Sequence, residues 1–313
     1  MVWTDLSEAA QKAIIQRHDK GELVEALASE YNLRPVSLDR KLRLLRPNLD
    51  KDYDYRVKNL FVKSPKRVLC YTDTHFGAED TKAIQLVIEI AKRFKPEIII
   101  HLGDVLDWNS LSRFVKDTKS APLQEERYRW YFHAEQLNEV APDTDKYVLW
   151  GNHEERLRTW LATQGSNIAG LEELSVDGLL YLDELGWNHT VDEIRINPSD
   201  DPLYPAAELY FIHGESARKG AGSSVRAESD VYSGASVVMG HAHRTAMISR
   251  RTDHGTVYSY EVGTLASLMP TYARFPDWTQ SILTGIIGES FFDFDVHKIH
   301  NGRARFGGEI LSV

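Results

Sequence analysis

Between Lys66 and Trp150 the chain alternates short apolar runs with longer amphipathic ones, and this alternation restricts the possible folds more than any other feature. Arg67 to Tyr71 reads as a strand, Thr81 to Phe94 as an amphipathic helix, Glu97 to His101 as a second strand, Leu123 to Val140 as a long helix and Lys146 to Trp150 as a third strand. A βαβαβ order of this kind builds a sheet with helices packed on it. Further on, Leu209 to Ile212, Ser236 to Met239, Ala246 to Arg250, Thr256 to Val262, Ser281 to Ile287 and Phe291 to Ile299 are β-rich and closely spaced. The expectation is an α/β protein with two packed mixed sheets flanked by helices.

A different composition precedes this region. Residues 1–65 carry 12 basic and 10 acidic side chains, net +2, whereas the whole chain of 313 residues has a net charge of −9, which leaves −11 for the rest. Apolar residues at helical spacing predict three short helices, Leu6 to His18, Leu23 to Tyr31 and Val36 to Leu45. With the tight link Asn32-Leu33-Arg34-Pro35, they resemble a helix-turn-helix module whose third helix carries Arg40, Lys41, Arg43 and Arg46 toward DNA phosphates. A helical bundle used for packing or dimerisation has the same pattern, and both readings stay open. The expected domains are residues 1–46 (the helical module), 47–65 (a polar linker) and 66–313 (the catalytic domain).

Chemistry is concentrated where strands end, since a sheet holds the loops at its edge rigidly. Five strands are followed by metal-competent side chains: Asp73-Thr74-His75-Phe76-Gly77, Gly103-Asp104-Val105-Leu106-Asp107, Gly151-Asn152-His153-Glu154, His213-Gly214 and Gly240-His241-Ala242-His243. Taken singly, an Asp or Asn after a strand is usually a turn or helix cap. His-x-His is more telling, because residues two apart on an extended chain point the same way.

The ordered series D-x-H, G-D-x-x-D, G-N-H-E, H and G-H-x-H resembles that of the calcineurin-like metallophosphoesterases over roughly Arg67 to Val262. The resemblance implies a four-layer α/β/β/α sandwich and two divalent metal ions. Asp73, His75 and His243 would hold one ion, Asn152, His213 and His241 the other, and Asp104 would bridge them. Mixed nitrogen and oxygen donors without thiolate favour manganese first, with iron, zinc or nickel as alternatives, over calcium or magnesium. Two such ions bind a bridging hydroxide and clamp a phosphoryl group, so water is the nucleophile. His153 matches the family position that assists the leaving group, and Asp107 and Glu154 are expected to orient ligand or catalytic histidines. His101 stays undecided between supporting the ligands and filling the core.

The substrate is less legible. The segment His213 to Arg226 is glycine-rich and cationic, and either its backbone amides with Arg218, Lys219 and Arg226 meet substrate phosphates or it is a mobile, solvated loop. Arg156, with an aromatic and basic set around Trp108, Arg113, Phe114, Lys116 and Trp130, would suit a nucleic acid, although Trp130, Tyr131 and Phe132 also read as core. The expected activity is hydrolysis of phosphodiesters of nucleic-acid or nucleotide substrates. The alternatives are a phosphomonoesterase or phosphoprotein phosphatase on the same centre, and a DNA-binding regulator with a non-catalytic sensor domain. No run approaches the roughly 18 to 20 apolar residues of a membrane span, and the single Cys70 suits a reducing compartment, so a cytoplasmic protein without a membrane partner is expected. Cys70 itself reads as a small buried hydrophobe rather than a nucleophile.

Overall fold

A computed structural model of the chain describes residues 6–19, 24–33, 38, 56–112, 120–198, 209–232, 234–252, 255–270 and 276–313. Its strands are β1 (Val57–Leu60), β2 (Lys66–Tyr71), β3 (Ile98–His101), β4 (Asp145–Val148), β5 (Glu193–Ile196), β6 (Leu209–Ile212), β7 (Ser236–Met239), β8 (Ala246–Thr252), β9 (Gly255–Glu261), β10 (Gln280–Ile287), β11 (Phe292–His300), β12 (Arg303–Phe306) and β13 (Glu309–Ser312). They form a seven-stranded sheet of order β13-β12-β11-β10-β2-β3-β4 and a six-stranded sheet of order β1-β5-β6-β7-β9-β8. Both sheets are mixed. Strands β2, β3 and β4 run parallel, as do β6 and β7, while β10 pairs antiparallel with β2.

The apolar runs of the central strands are explained by burial on both faces. In β2, Val68 and Cys70 join Ile98, Ile100, Phe211 and Val238 in the core between the sheets. The alternate residues Leu69 and Tyr71 pack outward against helices α3 (Thr81–Phe94) and α4 (Leu123–Val140), which carry Leu86, Ile90, Trp130 and Leu137. On the outer face of the other sheet, Ile212, Val237 and Met239 pack against Val225 of helix α6 (Ser223–Val231). The layers are therefore helix, sheet, sheet, helix. Cys70 is free and fully buried, and burial raises its thiol well above the usual range, which keeps it inert.

Helix α3 starts where Asp80 accepts hydrogen bonds from the Lys82 and Ala83 amides, and it ends at Lys95 in the left-handed conformation. Trp108 and Trp130 are fully buried, and the Trp130 indole donates to the Leu180 carbonyl oxygen at 2.7 Å. These two rings therefore fill the core and do not form a nucleic-acid surface; Arg113, Phe114 and Lys116 lie outside the described residues.

The linker expectation needs one correction. Val57–Leu60 is not a free crossing but the edge strand β1, parallel to β5, and Val62 is buried in the core between the sheets. Charged positions at 58 and 63 conceal this strand in the sequence, because an edge strand buries only part of its surface. Ahead of it, α1 (Glu8–Asp19) and α2 (Val24–Glu30) meet through Ile14, Leu27 and Ala28, with Leu38 beside them, and Arg17 forms a bidentate pair with Glu30. Arg40, Lys41, Arg43 and Arg46 lie outside the described residues. Among the described residues, no helix is long and apolar enough to cross a membrane.

Candidate metal centre

The loops that follow β2, β3, β4, β6 and β7 converge. Asp73, His75, Asp104, His241 and His243 all adopt positive φ, between 44° and 63°. Side chains other than glycine enter that region at a cost of about 1–3 kcal/mol each, so such residues persist only where their surroundings over-determine them. Here those surroundings are mutual. The Asp73 amide donates to the Gly103 carbonyl oxygen and the His75 amide to that of Asp104, while the His241 amide donates to Asp73 Oδ2.

Two donor clusters that share Asp104 result, beside a third made of His75, Asp107 and His153. Asp73, His75, Asp104 and His243 offer atoms that all lie within 4.8 Å of one another, and so do Asp104, His213 and His241. In the first, His243 Nε2 is 3.0 Å from Asp73 Oδ1 and 3.2 Å from His75 Nε2, which is 3.8 Å from Asp104 Oδ2. In the second, His213 Nε2 is 3.4 Å from Asp104 Oδ1 and 3.2 Å from Asn152 Oδ1. Asp104 thus turns one oxygen toward each cluster. The other ring nitrogen of His213 donates to the Leu102 carbonyl oxygen at 2.8 Å, which leaves Nε2 as an acceptor for a cation. Buried carboxylates and imidazoles whose lone pairs converge in this way fit a pair of borderline divalent ions.

The charges of the protein groups point the same way. Burial opposes ionisation of Asp73, yet His243, His75 and His213 hold its carboxyl well below the usual range. Asp104 is lowered likewise, with His213, His153 and His75 outweighing burial. Burial also works against a charged His75, but Asp107, Asp73 and Asp104 raise it to about 10. A cation between these groups would take over the role of that proton.

Around the clusters stands a supporting layer. Asp107 Oδ1 is 3.5 Å from His75 Nδ1, and the Asp107 carbonyl oxygen accepts from His153 Nδ1 at 2.8 Å. Arg156 donates to that same carbonyl and to His153 Nε2, each at 2.7 Å, so His153 is held as the neutral Nδ1–H tautomer. Burial, helped by His75 and Arg156, lowers His153 to about 3. Glu154 serves backbone amides rather than a histidine. Its buried carboxylate accepts from the amides of Asp104, Val105 and Gly151, each at 2.9 Å, and so sets the backbone of the aspartate that the two clusters share. His101 is fully buried and ties two ligand loops together, with Thr74 Oγ1 at 2.9 Å and the Gly103 amide at 3.2 Å.

The amide cradle expected from His213 to Arg226 is corrected. The amides of Gly222, Ser224 and Val225 already donate to the buried Glu261, and those of Glu215 and Ser216 to Glu228. These amides are therefore taken by carboxylates of the protein, and the last part of the segment is the regular helix α6 rather than a loose loop. Arg218 is half-buried, and Lys219 and Arg226 are exposed. Two further residues escaped sequence reasoning. Glu126 is fully buried on α4 and accepts from the Trp108 amide at 2.8 Å; its signal was a carboxylate on the apolar face shared by Trp130, His133 and Leu137. The Trp278 ring stands edge-on to His243 with centroids 4.4 Å apart, on a loop without a pattern that would have marked it.

Two packed mixed sheets that present paired carboxylate and histidine clusters at one set of loop ends define a scaffold for metal-dependent phosphoester chemistry. The family model for the calcineurin-like phosphoesterases matches residues 66–259, and the chain belongs to that family. The Gene 54 protein of Mycobacterium phage L5 is 25% identical over 219 residues, covering 65% of this chain and 80% of the relative. Its counterpart in phage D29 is 23% identical over 218 residues, with the same coverage. Among solved structures, a Vps29 mutant from Entamoeba histolytica is similar at 11% identity and a TM-score of 0.39, covering 78% of this chain and 96% of that one. YfcE, a phosphoesterase from E. coli, is similar at 15% identity and a TM-score of 0.33, covering 71% and 93%.

Proposed function

We propose that this protein is a metal-dependent phosphodiesterase acting on nucleic-acid or nucleotide substrates. Asp73, His75, Asp104 and His243 would hold one divalent ion and Asp104, Asn152, His213 and His241 a second, which when bound supply Lewis acidity toward phosphoryl oxygens and an acidified water.

The observation that carries the choice of a diester is Arg156 on His153. It brings one guanidinium to the position expected to face the scissile bond, which matches the single negative charge of a diester better than the two of a monoester. With Nε2 occupied by Arg156, His153 cannot deliver a proton. Transfer of the guanidinium from Nε2 to a phosphoryl oxygen would remove one cation from the ring and free that nitrogen to take up a proton from solvent and pass it to the departing alkoxide. Asp107 would keep the ring oriented meanwhile through its carbonyl oxygen. The N-terminal helices would bring the enzyme to DNA, and the −11 balance of the remaining chain makes such a separate contact useful.

The test compares bis(p-nitrophenyl) phosphate with p-nitrophenyl phosphate in the presence of Mn²⁺, with His153→Ala alongside. Metal-dependent turnover should favour the diester, and the variant should lose about 10²–10⁴-fold. Preference for the monoester would replace this reading with a phosphomonoesterase. No turnover of either compound would favour the regulator. Deletion of residues 1–54, which spares β1, should weaken DNA binding at several salt concentrations.

A further inference from the structure

One cavity lies outside the ligand clusters, between the start of β1, the loop after β4 and helix α5 (Glu154–Thr163), with a volume of about 170 Å³. Trp150, Leu157, Leu161, Leu174 and Val176 make its walls largely apolar, and Ser175 and Thr190 add hydroxyls, with Arg158 at the wall paired to Glu155. Above the Trp150 ring lies the Arg56 guanidinium, 5.3 Å from its centroid, and Arg56 is paired with Asp177 at 3.4 Å, so the charge at this wall is balanced.

The backbone puts this cavity beside the metal centre. Trp150 is two residues from Asn152, which limits their Cα separation to about 7 Å. Leu149 bridges to Val191, and Glu193 at the start of β5 pairs with Ile212, the neighbour of His213. Cavity and ligand loops therefore share one end of the two sheets. Helix α5 links them directly, with Arg156 on His153 and Leu157 on the cavity wall.

Largely apolar walls with a few hydroxyls take an uncharged group with polar edges, and an aromatic wall favours a flat one. The size selects further, since a cavity of about 150 Å³ accommodates a benzene ring. We propose that this cavity is a subsite for a single-ring nucleobase, a pyrimidine, carried by the phosphodiester whose phosphoryl group lies at the metal centre. The identity of that attached group rests on the phosphodiesterase reading above; the ring-binding site does not.

Saturation-transfer NMR on the full chain with thymidine should show transfer to the thymine protons, and Leu161→Trp, which fills the cavity, should abolish it. In the same variant, kcat/KM for thymidine 5′-(p-nitrophenyl phosphate) relative to methyl p-nitrophenyl phosphate should fall at least about tenfold. Leu161→Ala should shift the preference the other way, toward the adenosine ester, and circular dichroism identifies any variant that fails to fold. Absence of thymine transfer in the unaltered protein overturns the proposal, as does an unchanged substrate ratio in both folded variants. Thymine transfer without turnover of any diester removes the phosphodiesterase reading and keeps the ring site.

Discussion

Glu126 should make the stability of this fold depend on pH in a way that one amide substitution removes. Its side chain is fully buried, one carboxyl oxygen accepts from the Trp108 amide at 2.8 Å, and the other has no partner among the described residues. Burial, reinforced by the nearby Asp107, outweighs the Trp108 amide and raises the group from 4.5 to about 8. Between those values the folded protein keeps a proton that the unfolded chain gives up. Unfolding there releases a proton, so the contribution of Glu126 is intact below pH 4.5 and is lost as pH rises toward 8. The slope is about 1.4 kcal/mol per pH unit, or about 5 kcal/mol over the whole window. Glu126→Gln keeps the shape and an acceptor for Trp108 but cannot ionise. Urea denaturation with EDTA at pH 5.5 and 7.5 should show the variant gaining about 3 kcal/mol on the unaltered protein. The other titrating groups are common to both and largely cancel in the difference, although Asp107 is coupled to Glu126. A difference that stays constant with pH would refute the buried, protonated carboxyl.

Asp104→Asn should weaken Mn²⁺ binding at both clusters and remove most activity, since each oxygen of Asp104 faces one cluster; calorimetric titration checks this, with Cys70→Ser as a control whose metal dependence stays unchanged. Equal loss in the two variants would mean that the centre lies elsewhere. Glu154→Gln turns an NH₂ group toward donating amides, and metal affinity should fall about 10–100-fold. Gly240→Ala would set a methyl against Thr72 and 2.7 Å from Asp73 Oδ2, so binding at the Asp73 cluster should suffer more than binding at the His213 cluster; titration of both sites in this variant decides it.

Much of the scaffold was legible because its strands are buried on both faces and therefore read as unbroken apolar runs. Helix Thr81–Phe94 and strands Leu209–Ile212 and Ser236–Met239 coincide with their sequence patterns. Other strands were hidden for identifiable reasons. In β5, Glu193 and Arg195 are charged yet buried, and the Glu193 carboxylate takes both Arg195 and the Tyr232 hydroxyl. In β12 and β13 only Ala304 and Leu311 are buried, too few to make a period.

By itself the sequence determined which atoms can bind a cation and that each follows a strand, because donor chemistry and apolar patterning are properties of a residue and its near neighbours. Only the tertiary structure decided what those atoms meet. It turned the two oxygens of Asp104 to different histidines, set Arg156 on His153, and gave the carboxylates of Glu126, Glu154 and Glu261 to backbone amides. The pairing of His243 with Asp73 joins residues 170 positions apart. Burial and hydrogen-bond partners at that range come from chain packing, which no local window of sequence contains.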